Sequence, residues 1–241
     1  MKTFVLLHSA FLNASTWDSI QQKLSDKGFK VLAVELPGHG SDKANFTNIT
    51  MDTYRDAVIS VIEKLDEKVI LLGHSMSGMV ASAVAEAIPD KIEKLVYLAA
   101  FVPANGEALI DLSKHNTTIV NESMIASNDG LTMDIKQTAV LDIFFNGDER
   151  FQQFIDDNYQ AEPTIPLTNA VSLSAENFGR VPKAYIHTLN DQSIAYNLQQ
   201  QMAEVAGIEE LYSIHSGHAP NISAVDELFN ILLEVAGNTV A

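Results

Sequence analysis

Val69-Ile70-Leu71-Leu72-Gly73-His74-Ser75-Met76-Ser77-Gly78 is the stretch on which the reading of this 241-residue chain turns. Four apolar residues in a row read as a buried strand, and the small, apolar run at 75–88 reads as a helix ended by Pro89. Ser75 falls at the junction. A serine hydroxyl is a weak nucleophile unless it is exposed, oriented and relieved of its proton during attack. A sharp strand-to-helix turn presents that hydroxyl at a helix N-terminus, beside backbone N–H groups able to hold an oxyanion. Small residues two before and two after the serine let strand and helix pass closely. Gly73 is the first of these, and Ser77 stands where Gly is usual. Ser77 as nucleophile would put bulky Met79 two residues on, so Ser75 is the candidate. The competing reading, a turn and a helix N-cap without chemistry, loses weight from the strand–turn–helix context.

On either side of this turn, short apolar runs alternate with amphipathic stretches. Candidate strands are 3–8, 29–35, 68–73, 94–101, 182–188 and 209–215. Each is rich in Val, Ile, Leu or Tyr without clean alternation, as parallel strands covered on both faces should be. Between 51 and 66, Tyr54, Ala57, Val58, Val61, Ile62 and Leu65 recur at three- and four-residue intervals and mark one helical stripe. The alternation predicts an α/β fold, a mostly parallel central sheet flanked by helices. The rhythm stops at 103–180, where Phe144, Phe145, Phe151, Phe154, Tyr159 and Phe178 sit in a polar background. A structureless loop of that length does not suit a compact domain. The expected organisation is a core of residues 1–102 and 181–241 with an inserted helical cap at 103–180.

An activated serine needs a base. Of seven histidines, His218 lies in Ser216-Gly217-His218-Ala219-Pro220, after the last strand and before the final helix. That loop reaches over the carboxyl edge of the sheet, where Ser75 also lies. His215, closing the strand, is the reserve; His8 and His74 adjoin strand ends, His39 sits in a turn, His115 in the cap segment and His187 in a strand. The third member is a carboxylate that fixes the imidazole tautomer and stabilises the imidazolium. Asp191, in Leu189-Asn190-Asp191-Gln192 directly after a core strand, fills that place, with helix N-capping as its alternative role. The N–H of Met76, next after Ser75, is one oxyanion donor. A metal at His215-x-x-His218 finds no third ligand nearby, so no metal and no cofactor is expected.

Composition narrows the partners. With 15 Lys and Arg against 31 Asp and Glu, the formal charge is −16, and a nucleic-acid backbone finds no cationic surface. Zero cysteines exclude disulfides, thiolate zinc sites and a Cys nucleophile. The apolar run Phe4-Val5-Leu6-Leu7 stops at His8, short of the roughly 7–15 residues of a signal core, and reads as the first strand. No stretch approaches the roughly 20 apolar residues of a membrane helix. A cytoplasmic protein without a membrane span is expected.

Phe4-Val5-Leu6-Leu7-His8, Leu36-Pro37-Gly38-His39-Gly40-Ser41, Gly73-His74-Ser75-Met76 and Leu98-Ala99-Ala100-Phe101-Val102-Pro103, with the Asp191 and Gly217-His218 loops, resemble the α/β-hydrolase superfamily. The resemblance covers nearly the whole chain, and the order Ser75, Asp191, His218 is the one that superfamily shows. More narrowly, the chain looks like the group of plant methylesterases and hydroxynitrile lyases with its bacterial esterase relatives. The resemblance implies a triad of Ser75, His218 and Asp191, and oxyanion donors on the Ala10 and Met76 N–H groups.

Three departures bear on function. Ser9 stands where esterases of the group usually have Gly and the lyases carry a threonine hydroxyl, which marks it as a candidate substrate contact. Ala219 stands where those lyases hold departing cyanide with a Lys, which favours the esterase. Ser77 in place of Gly is similar to hydrolase-like small-molecule receptors that turn over slowly. The expected function is a cofactor-independent serine hydrolase of small to medium hydrophobic carboxylic esters. A hydroxynitrile-type lyase and a slow receptor are the alternatives. Phe101, Phe144 and Phe145 are the expected pocket aromatics, although a Phe in a cap more often packs the cap onto the core. Related proteins are often dimers, so a homodimer is the assembly the resemblance allows.

Overall fold

Strands β1 (Thr3–Leu7), β2 (Lys30–Val34), β3 (Val69–His74) and β4 (Ile92–Leu98) alternate with helices, as their short apolar runs predict. Three short strands follow, β5 (Met124–Ala126), β6 (Thr132–Ile135) and β7 (Glu162–Pro163), before β8 (Lys183–Thr188) and β9 (Glu210–Ile214). The structure, a computed structural model, describes residues 2–42 and 46–237. The central sheet runs β2-β1-β3-β4-β8-β9 with every pairing parallel. All six expected core strands are present. β4 ends at Leu98 rather than at 101, because Ala99 takes a left-handed φ of 42° and leaves the ladder.

The central strands β1 and β3 bury both faces. Phe4, Leu6, Ile70 and Leu72 pack with Ile20 and Leu24 of helix Asp18–Asp26 and with Leu228 and Leu232 of helix Val225–Val235. Their neighbours Val5, Leu7 and Leu71 turn to the other side, against helices Met51–Ile62, Ser77–Ala87 and Tyr196–Val205. Side chains do alternate with period two, but between two apolar environments, so the sequence shows runs instead of alternation. Among the described residues no helix is long and apolar enough to cross a membrane.

β1 lies between β2 and β3, so the path of the chain reverses there. The loops after β1 and β3 diverge at the carboxyl end and leave the crevice in which such sheets bind ligands. Over that end lies the segment between β4 and β8, with short helices that include Leu109–Ser113, Gln137–Phe145, Gln152–Asn158 and Thr164–Thr168. It is not only helical, as the sequence suggested: β5, β6 and β7 form a small antiparallel sheet. Strands of 3, 4 and 2 residues are too short to show a period. The signal that was available is Asp129-Gly130, with Gly130 at φ 72°, a hairpin turn between β5 and β6.

Two glycines let β3 and helix Ser77–Ala87 close on their neighbours. A Cβ on Gly73 would overlap the Ser77 backbone, and one on Gly78 the Phe101 carbonyl. Backbone atoms cannot swing aside as a side-chain tip would. Gly78→Ala is expected to lower the unfolding free energy by about 1–3 kcal/mol, measured as a fall in urea midpoint at constant slope. An unchanged midpoint would show that the loop after β4 yields to the methyl group.

Candidate active site

Ser75 leaves β3 with φ 58°, a left-handed backbone that a residue with a Cβ rarely takes. The conformation costs about 1–3 kcal/mol and persists only where neighbours hold it. Here they belong to the end of β4: the Ser75 N–H donates to the Leu98 carbonyl at 3.2 Å, and the Ser75 carbonyl accepts from the Gly78 and Phe101 N–H groups at 3.1 Å. Ser77, where Gly is usual, does more than stay small. Its Oγ donates to the His8 carbonyl and ties the helix to the loop after β1.

The loop after β9 brings His218 to the serine, with Nε2 2.9 Å from Ser75 Oγ. The other ring nitrogen, Nδ1, is 2.8 Å from Asp191 Oδ2. Asp191 Oδ1 accepts the Ser193 and Ile194 N–H groups at 2.7 and 2.8 Å, while Oδ2 also accepts Thr188 Oγ1 at 2.6 Å and Gln199 Nε2 at 3.2 Å. Asp191 does not cap the helix that follows, whose N-cap is Ala195; one of its oxygens holds the turn at Ser193 and Ile194 and the other faces the imidazole. From the other side, His74 Nε2 meets the His218 carbonyl at 2.8 Å. Burial, reinforced by the neighbouring His218, pushes the His74 imidazole well below its ordinary pKa. It is a neutral ring whose Nε2–H must donate, since a carbonyl only accepts.

His215, the reserve base, is exposed and lies along a separate hollow with Arg150 and Asn190. Both ring nitrogens of His218 are engaged with Asp191 and Ser75, which leaves His215-x-x-His218 short of a free ligand atom. Among the described residues no group of three His, Asp or Glu side chains is arranged to hold a metal ion.

Ser75 and His218 open on a cavity of about 410 Å³. Ala10, Met76 and Phe101 wall it from the core, and Leu109, Met133, Phe144 and Leu167 from the segment above. His218 is the one ionisable side chain among the lining residues. The Ala10 and Met76 N–H groups, both on lining residues, donate to no protein acceptor among the described residues. Phe101 and Phe144 are where they were expected, but Ser9 and Phe145 are not on the wall. The Ser9 side chain is buried instead, and its Oγ has no hydrogen-bond partner among the described residues. Successive helical residues point about 100° apart, so Phe145 instead stacks on Phe151, ring centroids 4.5 Å apart.

Thr188, Gln199 and His74, which hold the Asp191 and His218 groups, were not foreseen as site residues. Gln199 offered one hint, a polar residue on the buried face of helix Tyr196–Val205, three residues before Met202. Its amide is fully spent: Nε2 donates to the Ile194 carbonyl at 2.8 Å, and Oε1 accepts the Thr188 N–H at 3.1 Å.

A family model described as the alpha/beta hydrolase family matches residues 4–231. Putative methylesterase 11, chloroplastic, of Arabidopsis thaliana is 31% identical over 247 residues, covering 97% of this chain and 63% of the relative. This chain thus spans less than two thirds of that relative's own length. Polyneuridine aldehyde esterase of Rauvolfia serpentina is 27% identical over 258 residues, covering 98% of this chain and 96% of the relative. A solved pyrethroid hydrolase shares the fold with a TM-score of 0.87 at 21% identity, covering 98% of this chain and 97% of that one.

Proposed function

The chain belongs to the alpha/beta hydrolase family, and from that premise we propose that it is a serine hydrolase of carboxylic esters. One observation carries the reading. An unbroken line from Asp191 Oδ2 through His218 to Ser75 Oγ, at 2.8 and 2.9 Å, ends at an apolar cavity beside two N–H groups that no acceptor among the described residues takes. Ser75 attacks the ester carbonyl as its proton passes to His218 Nε2, and Asp191 stabilises the imidazolium through Nδ1. The developing oxyanion is held by the Ala10 and Met76 N–H groups. His218 then protonates the departing alcohol and activates the water that releases the acid from Ser75.

Residues 103–180 act in this reading as a cap that closes the acyl site from solvent. The wall carries no Lys, Arg, Asp or Glu, so a charged substrate group would lose water without gaining an opposite charge from any of them. Neutral esters with apolar acyl groups suit it, and the relatives named methylesterases point to a small alcohol. A lyase releasing cyanide is disfavoured on the same ground. Ala219 is buried and supplies no cation, and no Lys or Arg lines the cavity.

The test is acylation. Mixed with p-nitrophenyl butyrate and quenched in acid, the protein is expected to carry one acyl group, on the peptide containing Ser75, with a matching burst of nitrophenol. EDTA is expected to leave the rate unchanged. Turnover without acylation of Ser75, or turnover lost to EDTA and restored by zinc, would overturn the proposal.

A further inference from the structure

Glu162, at the start of β7, has no exposed surface, and the mechanism above does not use it. Its carboxylate gathers donors from three other parts of the fold. Oε2 accepts the Phe11 N–H at 3.0 Å and His39 Nε2 at 2.8 Å, and Oε1 accepts the Tyr54 hydroxyl at 2.9 Å. The second nitrogen of His39, Nδ1, faces the Pro37 carbonyl at 3.3 Å. With an oxygen opposite each ring nitrogen, both nitrogens are placed to donate, which favours the charged form of the imidazole. Burial opposes the charge on each partner, yet their mutual attraction prevails: His39 sits above its ordinary pKa and Glu162 below.

These contacts converge on Phe11, which borders the cavity and has φ 66°, another left-handed residue with a Cβ. Its carbonyl accepts the Gln160 N–H at 2.8 Å, and its ring stacks on Tyr159 with centroids 5.9 Å apart. Residues 159, 160 and 162 thus grip Phe11 by the ring, the carbonyl and the N–H. The peptide before it is held as well. His8 Nε2 accepts the Leu36 N–H at 3.1 Å, so Nδ1 carries the proton and donates it to the Ser9 carbonyl at 2.8 Å. In a trans peptide the C=O and N–H are coplanar and opposed. Holding the Ser9 carbonyl therefore orients the Ala10 N–H, and holding the Phe11 N–H fixes the next plane.

We infer that Glu162, ion-paired with His39, is a positioning residue for the oxyanion hole: it holds the Phe11 peptide in the left-handed turn that keeps the Ala10 N–H directed to the cavity. The inference rests on the oxyanion role proposed for Ala10. An acceptor is needed at the Oε2 place, where the Phe11 N–H and His39 both meet it. An amide could keep its oxygen there and turn its NH₂ to the Tyr54 hydroxyl, which can also accept, so only a side chain without an acceptor frees the Phe11 N–H. Since Glu162 belongs to the segment above the sheet, the oxyanion loop takes its working shape only with that segment seated.

Glu162→Leu, which fills the space but offers no acceptor, is compared with wild type on p-nitrophenyl butyrate to test this. Removing an oxyanion donor outright costs about 10²–10³ in kcat, so loosening one is expected to cost about 10- to 100-fold with KM nearly unchanged. By NMR hydrogen exchange, the Phe11 amide is expected to be slow in wild type and at least about tenfold faster in the variant. A residue that served stability alone would lower the melting temperature and leave kcat intact, and that result in a folded variant overturns the inference. Should the variant fail to fold, wild-type exchange decides: a Phe11 amide exchanging at open-loop rates overturns it, and a protected one supports it. Activity surviving in Ser75→Ala would instead sink the serine reading, and the Phe11 exchange would still decide whether the clamp exists.

Discussion

Ser75→Ala is expected to lower kcat for ester hydrolysis by about 10⁴–10⁶-fold, with KM little changed. In the proposed mechanism the hydroxyl is the atom that bonds to the substrate carbon, so its loss removes the acyl-enzyme route rather than weakening it. The cavity and the two N–H groups remain, and a residue of catalysis over water should persist from them. The fold should be untouched, because the left-handed turn at φ 58° already carries a Cβ and is held by backbone bonds to Leu98, Gly78 and Phe101. Burst and steady-state rates, with a melting curve as the control, check both halves. A folded variant keeping more than about a hundredth of wild-type kcat would place the nucleophile elsewhere.

Asp191→Asn is expected to cost about 10⁴-fold in kcat with stability nearly preserved. The geometry dictates how the amide must sit. Its oxygen has to take the Oδ1 place, where the Ser193 and Ile194 N–H groups both donate. The NH₂ then replaces Oδ2 and donates to His218 Nδ1, which moves the imidazole proton to Nε2. That nitrogen can no longer accept the Ser75 proton. Stability is spared because the turn keeps its acceptor, whereas Asp191→Ala would strip acceptors from Ser193, Ile194 and Thr188 and destabilise the fold as well. Near-wild-type turnover in Asp191→Asn would remove Asp191 from the reaction.

That Ser75, Asp191 and His218 come together was legible in one sequence because each is announced by its immediate neighbours. A four-residue apolar strand, a small-residue turn and a loop at a strand's carboxyl end are local patterns, set by bonding rules that act within about ten residues. The six core strands were legible on the same basis. The small sheet β5-β6-β7 was not, since its 3, 4 and 2 residues hold too little pattern, and neither was the burial of the Ser9 side chain or the rotation of Phe145 off the cavity wall.

The sequence by itself determined the layered parallel sheet, the turn that strains and presents Ser75, and the three residue types whose protons can move in series. Only the tertiary structure decided which groups hold them there. Glu162 meets the Phe11 N–H across 151 residues of chain, His74 meets the His218 carbonyl across 144, and Gln199 closes over Asp191 from a helix whose pattern is merely amphipathic. The physical reason is the reach of the forces involved. Local backbone preference is written in adjacent residues, but a buried polar group must find its partner wherever packing brings one within about 3 Å. Which distant residue that will be depends on how the whole chain has closed around it.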